Sequence, residues 1–351
     1  MCTDLTLAER FRAFAYSEVE ETSPLYHNLA LAVADDAELL ALAAAARNGQ
    51  PPANLLFGAV HYLLQEHGTH DLASYYPSLS PSPARPEAAF PAFRDFCLIH
   101  RNAISALLGQ RLVQTNELRR CTYLWSAFSE IARLTGGTPV ALLEVGASAG
   151  LNLLLDRYQM VYRLGEMTVV AGAPAASVVL DTTVRKGQGS LFSLVAPTIA
   201  RRVGLDLNVL DLRKAEDYRW LRALIWPEHA ERLARLERAR ALWLEAPPAL
   251  IAGDALLHLP HLLAEVPAGI TPVVFHTHVL NQLTYAARNQ LHEIVVAASS
   301  DRTIYRVGND MGGADGKAYT LRLLVYRSGN VEERILGRVD GHGRWLTWLA
   351  A

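Results

Sequence analysis

Apolar positions recur at helical spacing through the first 135 residues, and the period changes after Pro139. Thr6-Leu-Ala-Glu9 predicts a capping box, followed by Leu7, Phe11, Phe14 and Ala15 on one helical face. Further helices are predicted over 36–46, stopping at Asn48-Gly49, and over 54–65, where Leu55, Leu56, Ala59 and Leu63 share a side. Pro77, Pro81, Pro83 and Pro86 mark a loop over 68–86. Helices are expected to resume over 87–109 and 116–134, ending at Gly136-Gly137.

Beyond Pro139 short apolar runs alternate with helical segments. Val140–Val145, Leu205–Leu210, Ala249–Ala252 and Pro272–Thr277 predict strands, and 215–245 and 284–298 predict helices. Such alternation implies a parallel sheet with helices on its faces. Tyr319–Arg327 and Val331–Val339, joined by Ser328-Gly329-Asn330, predict a C-terminal antiparallel hairpin. The pattern therefore predicts an α/β protein, with an all-helical N-terminal domain over 1–135 followed by a Rossmann-like domain over 136–351.

Composition narrows the class. The chain has 351 residues, 51% of them hydrophobic, enough for a substantial core. Its net charge is −2, from 33 basic and 35 acidic residues, so no basic excess points to nucleic acid or an anionic membrane. Cys2, Cys97 and Cys121 are odd in number and far apart, which argues against a disulfide framework or structural zinc. No signal peptide or membrane span is visible, so a cytoplasmic location and a small-molecule partner are expected.

The candidate chemistry centres on Leu142-Leu-Glu-Val-Gly-Ala-Ser-Ala-Gly-Leu-Asn152. A strand ending near Glu144 is expected to enter a tight turn at Gly146, Ser148 and Gly150. A helix should then bury Leu151, Leu154, Leu155 and Tyr158, its first amides facing an oxygen-bearing group. A dinucleotide needs G-x-G-x-x-G, and Glu144 would stand near its pyrophosphate. Like charges about 4 Å apart cost roughly 4 kcal/mol at an effective dielectric near 20. A serine hydrolase is a second reading, since Gly146-Ala-Ser148-Ala-Gly150 also fits G-x-S-x-G, with Asp310 and His342 in chain order. The charged Glu144 in the strand argues against it.

The turn resembles the first motif of class I S-adenosylmethionine-dependent methyltransferases, with Ser148 where the middle glycine of E-x-G-x-G-x-G stands. The resemblance implies S-adenosylmethionine as cofactor, with Glu144 on its amino-acid part and Gly146, Ser148, Gly150 and Asn152 around the turn. It implies Asp206 on the ribose, from Gly204-Leu-Asp-Leu-Asn208, and Asp254 with Ala255 beside the adenine. The long step from Gly150 to Asp206 requires an insertion over residues 160–200. His276 and His278, two apart on one strand face, line the pocket in this reading; they lack a third ligand with metal spacing.

The polar group Gln114, Thr115, Asn116, Glu117 and Arg120 precedes a helix. Capping explains only one of them, so Gln114, Asn116 and Arg120, with Asn281 and His342, are candidates for substrate contacts. His61, Glu117 and His278 are candidates for a catalytic base, although a core position is the simpler reading of His61. The chain also resembles, over nearly its whole length, a bacterial family catalogued as a domain of unknown function. That resemblance rests on Ser23-Pro-Leu-Tyr26, Pro52–Leu56, His61, Arg111–Glu117, Glu144–Asn152, Gly253–Ala255 and Gly341–Trp345. It implies a helical part preceding a methyltransferase-like domain. A non-catalytic ligand-binding or regulatory protein of the same fold is the alternative to an enzyme acting on a small molecule.

Overall fold

The computed structural model describes residues 5–187, 191, 194–311 and 318–350, with only the backbone at Asp310 and Met311. Cys2 and the side chain of Asp310 thus lie outside the described residues.

The chain divides into two compact units. The helical unit comprises Met1–Thr115 and Asp211–Leu236. Its first helix, α1 (Leu7–Phe14), starts on the capping box: the Thr6 hydroxyl accepts the Glu9 amide at 3.3 Å, and the Glu9 carboxylate accepts the Thr6 amide at 2.8 Å. Helix α2 (Pro24–Val33) has Pro at its first position, where no amide is needed, and Ser23 as cap. Helices α3 (Ala37–Ala43) and α4 (Pro52–His67) follow. The predicted 87–109 helix is two, α5 (Phe90–Ile99) and α6 (Arg101–Gln110). Phe11, Phe14, Phe57, Phe93 and Trp220 are fully or almost fully buried here. Phe57 stacks on Tyr26 at 4.7 Å. Burying each such side chain contributes about 1.5–3 kcal/mol.

The sheet unit comprises Asn116–Leu210 and Glu237–Ala351. Helix α7 (Arg120–Leu134) belongs to it, as do the strands β1 (Val140–Val145), β2 (Gln159–Leu164), β3 (Met167–Gly172), β4 (Val179–Lys186) and β5 (Ile199–Asp206). Helix α8 (Ala215–Ala223) lies in the helical unit, and α9 (Ala230–Glu245) runs across the division. The chain then forms β6 (Ala249–Ala252), α10 (Ala255–Ala264), β7 (Thr271–Thr277), α11 (Tyr285–Ala298) and β8 (Ile304–Met311). The last strands are β9 (Ala318–Arg327), β10 (Asn330–Asp340) and β11 (Trp345–Trp348).

The described strands form one sheet in the order β3-β2-β4-β11-β10-β9-β8-β7-β1-β5-β6. Strands β6, β5, β1, β7 and β8 are mutually parallel, and β9 and β10 form the antiparallel hairpin. All six residues of β1 are buried, as expected where both faces of a parallel sheet are covered. Two features depart from the sequence-drawn picture. The change of period places a boundary at 135, whereas compactness puts α7 with the sheet and 211–236 with the helices. The residues expected as an insertion over 160–200 include β2, β3 and β4, which join the sheet through β11.

Candidate functional site

Strand β1 runs into a turn with three left-handed residues, Gly146 (φ 77°), Ser148 (φ 52°) and Gly150 (φ 70°). A non-glycine residue in this conformation costs about 1–2 kcal/mol. Ser148 is held there on three sides. Its amide donates to the Asp206 carboxylate at 2.7 Å, its hydroxyl accepts the Asn116 side-chain amide at 2.8 Å, and its carbonyl accepts the Leu210 amide at 3.3 Å. The amides of Gly146 and Ala147 donate to the Leu205 carbonyl, and that of Gly150 to Ala147. A Cβ at Gly146 would lie 2.2 Å from Val279, and one at Gly150 would lie 2.8 Å from Pro248 and Leu250. The glycines thus permit close protein packing, and the turn's amides are spent on the chain itself. The helix expected after the turn is a 3₁₀ segment, Leu151–Arg157. Leu151, Leu154, Leu155 and Tyr158 are buried, as their spacing implies.

Glu144 is 1% exposed. Its Oε1 accepts the Asn152 side-chain amide at 2.7 Å, and its Oε2 has no hydrogen-bond partner among the described residues. Burial pushes its pKa up to about 8; the Asn152 bond opposes this, Asp206 adds to it and Arg120 opposes it. Asp206, at the end of β5, also accepts the Asn208 amide at 2.8 Å. Asp254, two residues past the end of β6, is exposed and caps α10 by accepting the Leu256 amide at 2.9 Å; Ala255 is the first residue of that helix. Three acids therefore stand at the carboxyl ends of three adjacent parallel strands.

The register assigns faces. Glu144 pairs with Phe275 and Val145 with His276, so His276 lies on the sheet face opposite Glu144. That ring is buried over Gly308, beside Arg306, and burial depresses its pKa to about 3. Its Nδ1 has no partner among the described residues. Thr277, between the two histidines, shares the face of Glu144. His278 leaves the strand with φ 58°. Its amide donates to Asn309 Oδ1 at 3.1 Å, which turns the Asn309 amide nitrogen to His278 Nε2 at 2.9 Å and makes that nitrogen the acceptor. The ring packs against Tyr319 at 4.4 Å.

Helix α7 opens without a side-chain cap, so capping does not account for the polar residues before it. Glu117 is buried; it accepts the Arg119 amide at 3.1 Å and stands 3.9 Å from His342 Nδ1. Buried Arg120 donates to the Gly341 carbonyl at 3.0 Å and reaches Thr277 Oγ1 at 3.5 Å. The structure thus brings Asn116, Glu117, Arg120, Glu144, Ser148, Asn152, Asp206, His278 and His342 into the sheet unit, with Asn281 exposed just past β7. Gln114 and His61 belong to the helical unit. There His61 is buried, with its ring nitrogens 3.1 Å from the Ala223 carbonyl and 2.8 Å from the Ser78 hydroxyl. Burial lowers its pKa to about 4. Cys121, Tyr123, Thr277 and Asn309 escaped the sequence reading. Tyr123 was accessible as the residue three beyond Arg120, and Thr277 by strand alternation.

Among the described residues, no helix is long and apolar enough to cross a membrane, and no three His, Cys, Asp or Glu side chains are arranged to hold a metal ion. No curated protein and no solved structure matches the chain. A family model described as "Uncharacterized protein conserved in bacteria (DUF2332)" matches residues 8–348, and the chain belongs to that family.

Proposed function

We propose that the sheet unit binds S-adenosylmethionine and that the protein transfers the methyl group to a small molecule. One observation carries this reading. Counted along the chain, the five parallel strands lie third, second, first, fourth, fifth, and the buried carboxyl of Glu144 stands one residue before the end of the first strand, where that order reverses. Ligands of open α/β sheets bind at that reversal, outside the carboxyl ends of the strands.

Glu144 suits the ammonium of the cofactor's amino-acid part, because its unmatched oxygen gains a charged donor. Asp206 stands one strand over for the ribose hydroxyls, and Asp254 one further for the adenine. The Gly146–Gly150 turn and Asn152 fix the carboxyl between them, while His276, on the far face, takes no part. Methyl transfer depends chiefly on alignment and exclusion of water. Where the acceptor carries a proton, Glu117 on the Glu144 side is the base favoured here; His61 is buried in the helical unit, and the Nε2 lone pair of His278 is occupied.

Isothermal titration with S-adenosylmethionine and its demethylated product tests the proposal. Glu144→Gln should weaken both about tenfold or more, the worth of a charged hydrogen bond. In wild type at pH 7, binding should release close to one proton from Glu144, and in the variant none. Absence of binding by either ligand overturns the reading.

A further inference from the structure

Among the described residues the sheet ends at two open edges, β6 and β3. An unpaired edge offers its amides and carbonyls to any extended chain, and proteins guard such edges with short strands, prolines or charges. The β6 edge is guarded: it is four residues long and follows Pro247 and Pro248. The β3 edge is not. Its six residues, Met-Thr-Val-Val-Ala-Gly, include no charge and no proline, and Val170 is 57% exposed. Hydrogen bonding in the β2–β3 hairpin tells which groups face outward. The Ala173 amide donates to the Tyr158 carbonyl at 2.9 Å, whereas the Gln159 amide turns to the Val178 carbonyl, on the β4 side, at 3.0 Å. Bonded and non-bonded pairs alternate along an antiparallel ladder. In the observed register Met167, Val169 and Ala171 therefore bond inward to β2, and Thr168, Val170 and Gly172 present their amides and carbonyls to the open edge. No described residue takes these groups up.

The three outward residues complement themselves. A two-fold axis through Val170 sets it against Val170 of a second copy, and sets Thr168 of each copy against Gly172 of the other. An axis through any other residue of the strand pairs fewer of the three. Across the Val170 axis the middle row of side chains reads Val161, Val170, Val170, Val161, because Val161 is the β2 partner of Val170, and it is only 9% exposed. Like charges do not meet. The row through Arg163 and Thr168 continues into Gly172 and Gln159 of the other copy, and Glu166 comes opposite Pro174. An arbitrary peptide has no such match to a neutral edge. We propose that the protein self-associates through β3, two copies joining their sheets antiparallel about Val170. The inference makes no use of the cofactor reading.

Sedimentation velocity on the full chain, from about 1 to 100 μM, should show a monomer–dimer equilibrium, as a small interface allows. Val170→Lys places two like charges on the axis and should weaken the dimer about tenfold or more. Its melting at low concentration should match wild type, because the Val170 amide and carbonyl make no bond to β2. Met167 is 53% exposed, on the other face of the strand, with its backbone bonded inward. Met167→Lys should leave the dimer within about twofold of wild type. Hydrogen exchange on the unsubstituted chain reads the same contact, since amides in 168–172 should slow as concentration rises. A monomer throughout the range, a dimer that Val170→Lys leaves intact, or equal losses in the two variants overturns the proposal. If Val170→Lys melts early, exchange decides: amides in 168–172 that ignore concentration overturn it.

Discussion

At the scale of single residues, Glu144 sets the character of the sheet unit. In the folded chain its carboxyl stays protonated up to about pH 8, while in the unfolded chain it ionises near the ordinary 4.5. Between those values the unfolded state binds fewer protons. Its contribution to stability is therefore full below pH 4.5 and is lost as pH rises toward 8. Glu144→Gln removes this dependence. Its stability relative to wild type, from denaturant titrations at pH 5, 6.5 and 8, should grow by up to about 1.4 kcal/mol per pH unit. A difference that stays flat across that range would show that burial does not hold the proton. The place of Glu144 was legible in the sequence, because an apolar run that meets a glycine turn predicts a strand ending there, and β1 does run into that turn. The fate of the turn's amides was not legible, since Asp206 and Leu205, which take them up, come from a strand more than fifty residues away.

At the scale of elements, β1, β6, β7 and the β9–β10 hairpin were legible because each is a short apolar or alternating run bounded by turn residues. The predicted Leu205–Leu210 strand is displaced, for β5 ends at Asp206 and its earlier residues include Arg201 and Arg202. Those arginines obscured the apolar pattern and are matched by Glu265 and Asp156. Helix α10 was hidden by Pro260 in its interior, which tertiary packing of Leu259, Leu262 and Leu263 overrides. Strands β2 to β4 lie within the stretch read as an insertion, and β3 buries none of its six residues. Cross-strand packing also explains one glycine. Gly308 pairs with His276, and a Cβ there would meet the ring at 2.1–2.9 Å. Gly308→Ala should cost about 1–3 kcal/mol by overpacking. Adding His276→Ala should recover part of that loss, a coupling that a double-mutant cycle by chemical denaturation measures. Additive losses would place the strain elsewhere.

At the scale of the molecule, the helical unit is discontinuous. Trp220 and Ala223 of α8 are buried in its core, and the Trp220 indole donates to the Leu112 carbonyl at 2.9 Å. Arg111 pairs with Asp217 at 2.8 Å within the same unit. A fragment of residues 1–135 should therefore give broad, non-cooperative thermal melting by circular dichroism. Residues 1–115 joined by a flexible linker to 211–236 should melt cooperatively. Cooperative melting of the first fragment would show that α8 is dispensable. Sequence patterning missed this division because 211–236 has the same helical period as its neighbours, and only the identity of the core it enters assigns it.

That split has a consequence for biosynthesis. As the nascent chain leaves the ribosome, the first 115 residues emerge with a gap where Trp220 belongs, and they wait while β1 through β5 are made. Domains otherwise tend to fold as units in order of synthesis. Here residues 1–115 must remain incompletely packed until α8 is made, so a chaperone that shields apolar helices would find a binding surface there in the interval.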